Sequence, residues 1–169
     1  MVAIQTGRLY GIGVGPGDPE LLTLKAFRLL QSAPVIAYQA ANDHESTARS
    51  IVAPYLTGNQ IEVCFHFPRA LDPEAAHDLY TEAITPIASH LAAGRDVVVL
   101  CAGDPLFYGS FMYLFTRLAD QFITEVVPGI SSPMAAAAAI GTPICYQNDI
   151  FSVLAATLPT EVLRAQLIN

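Results

Sequence analysis

Residues 97–101 read Val-Val-Val-Leu-Cys, an unbroken apolar run that stops abruptly at Gly103-Asp104-Pro105. A short run rich in β-branched residues and bounded by turn residues reads as a strand. Because no position in it alternates to polar, both of its faces must be covered. A strand buried on both faces needs helices above and below it, which predicts an α/β layering with mainly parallel strands. After the turn, Phe107, Phe111, Leu114, Phe115 and Leu118 recur at helical spacing.

The rest of the chain repeats this alternation. Leu9–Val14 reads as a first strand, with Gly11, Gly13, Gly15 and Gly17 crowding into it and its exit. Such crowding implies close backbone approach by another group. Asp18 and Pro19 suit the N-cap and first position of a helix that Pro34 ends. Its leucines and Phe27 form a broad apolar face, which predicts a well-buried helix. Val35–Tyr38 and Ile61–Phe67 read as further strands, Thr47–Tyr55 as a short helix and Pro68–Asp72 as a loop. Pro73–Ala93 reads as a long helix, with Pro86 a point for a kink and Gly94 as its C-cap. Phe122–Val127 predicts a fifth strand. Ser132 and Pro133 suit the start of a helix to Ile140. Phe151–Ala155 reads as the first strand of a further unit, followed by a helix from Glu161 to Leu167.

Composition narrows the function. The 169 residues are 53% hydrophobic and 14% charged, ample for a buried core. A net charge of -7 argues against a nucleic-acid partner and against an anionic membrane surface. The alanine-rich run 134–140 is too short to span a bilayer. Cys64, Cys101 and Cys145 fit no disulfide or zinc spacing; two lie in strand-like runs and read as buried thiols of a reducing compartment. The four histidines share no metal-ligand spacing, and no metal site is expected. Together these features predict a soluble, cytoplasmic protein.

Ligands on parallel sheets bind beyond the carboxyl ends of the strands. Three glycine-bearing turns fall there: Gly13–Asp18, Gly103–Pro105 and Pro128–Ser132. The first does not match a dinucleotide loop. Counting from Gly11, the third glycine of G-x-G-x-x-G falls at Pro16; counting from Gly13, it falls at Asp18. Asp18 and Glu20 also put carboxylates where a pyrophosphate needs free amides. At the second turn, Gly103 leaves bare backbone for a flat or polar ligand. Asp104 is either an ionisable group facing a crevice or an Asx-turn residue. The hydroxyls of Ser131 and Ser132 suit either ligand hydrogen bonds or a helix cap.

Taken together, Tyr10–Ala26, Cys101–Tyr108 and Val127–Ser132 resemble the tetrapyrrole (precorrin/corrin) methyltransferases. Ala48–Tyr55, Phe65–Pro68 and Asp104–Tyr108 are most similar to the branch that methylates C20 of precorrin-2 or cobalt-factor II. The resemblance implies S-adenosylmethionine (SAM) as methyl donor, a tetrapyrrole acceptor of cobalamin synthesis and a homodimer. It implies SAM contacts at Pro16, Ala102, Gly103, Asp104, Phe107, Ser131 and Ser132. Asp104 is the candidate catalytic group, to accept the proton lost on carbon methylation or to hold the macrocycle. Other readings stay open: a C17, C11 or uroporphyrinogen-III type methylase, or a non-catalytic tetrapyrrole-binding or subunit-pairing fragment.

The resemblance also implies an N-terminal α/β domain over residues 1–127. Residues 128–169 would be the connection and the truncated start of a second α/β domain, whose remainder would complete the SAM cleft. The acceptor is a polycarboxylate, yet the chain has eight Lys and Arg in all, so the groups that face it are expected to be sparse or to lie elsewhere.

Overall fold

A computed structural model describes residues 5–40, 45–66 and 84–168. Five strands form one parallel sheet: β1 (Leu9–Gly13), β2 (Val35–Ala40), β3 (Ile61–His66), β4 (Val97–Cys101) and β5 (Thr124–Val127). Their order is β3-β2-β4-β1-β5. The expected α/β class with a mainly parallel sheet is the observed one. β4 sits in the middle, with Val97 opposite Leu9 on one side and Val35 on the other.

The continuous apolar strand is explained by two cores, one on each face. Val98 and Leu100 pack with Ile12, Val14 and Ile36 against α1 (Leu24–Ser32) and α2 (Thr47–Val52). Val97, Val99 and Cys101 pack with Leu9 and Val35 on the other face. There they meet Ile87 and Leu91 of α3 (residues 84–92) and Phe111, Leu114 and Leu118 of α4 (Phe111–Leu118). Successive side chains of a strand point to opposite faces, so every β4 position is buried.

Several local expectations are corrected. The helix expected from Asp18 is split. Asp18 accepts from the Glu20 amide and caps a single 3-10 turn, Pro19–Leu21. Leu22 is then extended and packs onto the core, and Thr23 caps α1 by accepting from the Ala26 amide. Turning Leu22 inward costs the helix its first turn. The helix is also less buried than its composition predicts: Ala26 and Leu30 are covered, whereas Leu24 is 81% exposed. Past Val52, Ala53–Tyr55 tightens into a 3-10 turn with Pro54 in its first positions. β3 is an edge strand, which leaves Cys64 exposed; Cys145 is exposed too, and only Cys101 is buried.

Gly94 ends α3 with φ 78°, and the amides of Gly94 and Arg95 reach back to Leu91 O and His90 O. The expected loop 68–72, the first half of the long helix, His44 and His77 lie outside the described residues.

Contact density separates two compact units, Met1–Ala135 and Ala136–Asn169. The boundary falls within α5 (Ser132–Ile140). The second unit contains the end of α5, closed by Gly141 at φ 65°, and α6 (Thr160–Ile168). The expected strand over 151–155 does not form: that segment finds no pairing partner among the described residues, and a strand exists only as part of a ladder. No described helix is long and apolar enough to cross a membrane.

Candidate functional site

The strand order sets the place of the site. From β1 the chain moves through α1 to β2 and out to β3; from β4 it moves through α4 to β5, past β1 on the other side. β1 and β4 are neighbours whose connections leave in opposite directions and over opposite faces. A crevice opens at the carboxyl ends of such a pair.

The three glycine-bearing turns meet there. Val14 N donates to Cys101 O, and Gly15 and Gly103 exchange backbone hydrogen bonds of 3.3 and 2.8 Å. The third turn comes in by backbone packing. A Cβ on Gly13 would stand 2.4 Å from Gly129 Cα; one on Gly129 would stand 2.1 Å from Gly103 O. Gly13 and Gly129 therefore accommodate the backbones of the other turns, whereas Gly15 faces Leu21 and Gly17 faces open space. At Gly11 the neighbour is the Phe111 ring, 2.4 Å from a would-be Cβ.

Asp104 locks this arrangement. Its Oδ1 accepts from the Leu106 amide, an Asx turn, and its Oδ2 accepts from the Gly129 amide, each at 2.9 Å. Both readings of Asp104 therefore meet at one residue, since the carboxylate shapes its own turn and also stands at the crevice.

Pro16, Ala102, Gly103, Asp104, Phe107, Ser131 and Ser132 line a single open cavity of about 200 Å³. All seven expected contact positions are brought together. Gly103, at φ 71°, presents its bare side inward: a Cβ there would find nothing nearer than Ile130 O at 3.9 Å. α5 starts at Ser132, and Ser131 O accepts from Ala135 N, so Ser131 takes the flanking position expected one residue later. At about 200 Å³ the cavity is smaller than the roughly 300–1,000 Å³ typical of small-molecule sites. A space of this size has room for part of a small molecule rather than for a whole one.

A second crevice of about 340 Å³ adjoins it and shares Ala102. Its lining includes Gln39, Glu45, Ser46, Cys101, Tyr108 and Ser110. The motif reading missed it, because these residues come from strand and helix ends with no common spacing. The Cys101 thiol is buried, and burial first, then the Asp104 carboxylate, hold its pKa well above the usual thiol range. Among the described residues no group of three His, Cys, Asp or Glu side chains could hold a metal ion.

Beyond the crevice, Glu62 receives a bidentate hydrogen bond from Arg49 at 2.7 and 2.8 Å and another from Tyr38 Oη at 2.7 Å. This pins α2 to the β2–β3 edge.

Residues 8–169 match the family described as Tetrapyrrole (Corrin/Porphyrin) Methylases. The chain is 44% identical to the cobalamin biosynthesis protein CobIJ of Mycobacterium bovis, over 95% of this chain and 33% of that one. It is 39% identical to a precorrin-2 C(20)-methyltransferase of Sinorhizobium, over 99% of this chain and 71% of that one. Among solved structures, uroporphyrin-III C-methyltransferase of Thermus thermophilus complexed with S-adenosylhomocysteine superposes with a TM-score of 0.60 and 31% identity. That match covers 84% of this chain and 51% of that one. The chain thus spans about a third of the mycobacterial relative and about half of the Thermus structure. With three turn motifs on one parallel sheet and a family match from residue 8 onward, the chain belongs to the tetrapyrrole methylases.

Proposed function

We propose that the protein transfers a methyl group from SAM to C20 of precorrin-2 or cobalt-factor II in cobalamin synthesis. The observation that carries this reading is the single cavity formed by Pro16, Ala102, Gly103, Asp104, Phe107, Ser131 and Ser132. The similarity to a precorrin-2 C(20)-methyltransferase over 99% of this chain supports the C20 position.

The donor set suits SAM. Ala102, Phe107 and Pro16 offer apolar and aromatic surface to an adenosine, and the serine hydroxyls offer hydrogen bonds. Gly103 admits close backbone approach. SAM carries a sulfonium and an amino acid tail but no phosphate, so the acidic Asp18 and Glu20 beside the first turn are tolerable. When bound, SAM supplies an electrophilic methyl group. The chain supplies positioning: the interlocked turns hold donor and acceptor in line, which by itself can account for much of the rate of such a displacement.

Asp104 serves first to hold the Gly129 turn in place. Its carboxylate lone pairs left over from those two hydrogen bonds are the ones available to take a proton from the acceptor or to bind it. Residues 1–127 are proposed as the N-terminal domain, with 128–169 as the connection and the opening of a second. A cytoplasmic homodimer is proposed as the working form. Exposed Leu106, Met112 and Phe115, on and just before α4, support self-association.

The test is SAM binding by calorimetry together with labelled methyl transfer to precorrin-2 and to cobalt-factor II, with the product carbon assigned by NMR. Methylation at C20 is expected. A product methylated at another carbon would move the protein to a different branch of the family.

A further inference from the structure

Tyr108 departs from ordinary backbone geometry. Its φ of 54° makes it the non-glycine residue in the left-handed region among the described residues. That conformation costs a β-carbon-bearing residue about 1–2 kcal/mol, and glycine or asparagine would adopt it more readily. Burial does not repay the cost, since Tyr108 is 64% exposed.

The turn leaves little choice. Asp104 fixes its start through the Leu106 amide, and Phe107 N returns to Asp104 O. Gly109 fixes its end, where a Cβ would stand 2.4 Å from Pro105 O. Between these points, two consecutive aromatic rings serve two different crevices. Phe107 lines the smaller cavity with Gly103 and Ser131, and Tyr108 lines the larger one with Gln39 and Ser110. The rings touch edge to face, with centroids 5.1 Å apart at 73°. Ala102 borders both spaces.

We propose that Tyr108 is a specificity-determining residue: its ring supports the flat conjugated face of the methyl acceptor in the larger crevice and selects which ring carbon faces the donor across Ala102. This rests on the function proposed above. An exposed ring at a strained position is spent on contact with a ligand rather than on the fold. Among the described residues of that lining the charged one is Glu45, a carboxylate. It repels the acceptor's own carboxylate side chains and so favours entry of an unsubstituted edge of the macrocycle.

The experiment compares wild type, Tyr108→Gly and Tyr108→Phe in the full-length protein. Tyr108→Gly relieves the backbone and removes the ring. Its thermal midpoint and its SAM affinity should hold or rise. Its KM for the tetrapyrrole should rise about ten-fold, and methylation should spread to a second carbon. Tyr108→Phe should restore KM and product position. Wild-type KM and a single product in Tyr108→Gly overturn the proposal. So does a loss of SAM affinity equal to the loss for the tetrapyrrole, which would mark a purely structural role. A wild-type protein that binds no SAM would overturn the methyltransferase reading itself, and the role of Tyr108 with it.

Discussion

The Asp104 carboxylate accepts a hydrogen bond from the Gly129 amide at 2.9 Å, across 25 positions of sequence. This bond ties the turn after β4 to the turn after β5. It joins two loops of the cavity wall whose glycines also pack closely, with a Cβ on Gly129 falling 2.1 Å from Gly103 O.

Replacing Asp104 therefore tests positioning and proton transfer separately. Asp104→Ala frees the amides of Leu106 and Gly129 and should cost about 1–3 kcal/mol of stability, with weaker SAM binding. Asp104→Asn keeps an amide oxygen for one of the two donors and should lie between. If the carboxylate also takes the acceptor's proton, kcat in Asp104→Asn should fall further than SAM affinity does. An Asp104→Ala enzyme with full methyl-transfer rate and unchanged SAM affinity would refute both roles.

The glycines of the three turns should respond differently to alanine. Gly129→Ala pushes a Cβ to 2.1 Å from a backbone oxygen that cannot move aside, so denaturant titration should show a severe loss of stability. Gly103→Ala has space for its Cβ and should cost about 1 kcal/mol through its positive φ. Its larger effect should be on SAM affinity, measured by calorimetry, because the added atom enters the cavity. Gly17→Ala meets nothing within 4 Å and should be nearly neutral.

Among the described residues Phe111 is the largest fully buried side chain, and it fills the space that Gly11 leaves on β1. Phe111→Ala should destabilise the fold by about 3–5 kcal/mol, read from urea unfolding. Gly11→Val should fail in the same assay, because its branched side chain needs the volume the ring occupies.

The Arg49 and Tyr38 hydrogen bonds lower the Glu62 pKa from 4.5 to about 2. A carboxyl that binds its proton more weakly when folded stabilises the fold above pH 4.5. That contribution fades as the pH falls from 4.5 to about 2. Glu62→Gln should flatten the acid side of the stability profile in that window. The change should be small, because both partners are about a third exposed.

Much of this was legible in the chain itself. The apolar run 97–101 required cover on both faces and so required a parallel sheet with helices on each side. The close approach expected at the glycines is met at Gly11 and Gly13 and not at Gly17, and the seven positions that the family resemblance implied line one cavity. Periodicity and turn chemistry are local, and they survive folding because the elements they describe form locally.

Tertiary structure decided the rest. It decided that Gly13 and Gly129 face the other turns' backbones while Gly17 faces open space, since no spacing rule says which loop a bare Cα will meet. It packed a half-buried Leu22 against the core and so moved the N-cap of α1 to Thr23. It left 151–155 without a ladder, because a strand depends on its partner. It also set Tyr108 in left-handed backbone and the second crevice beside Ala102, through constraints from Asp104 and Gly109 that act in space on a residue whose own type argues against them.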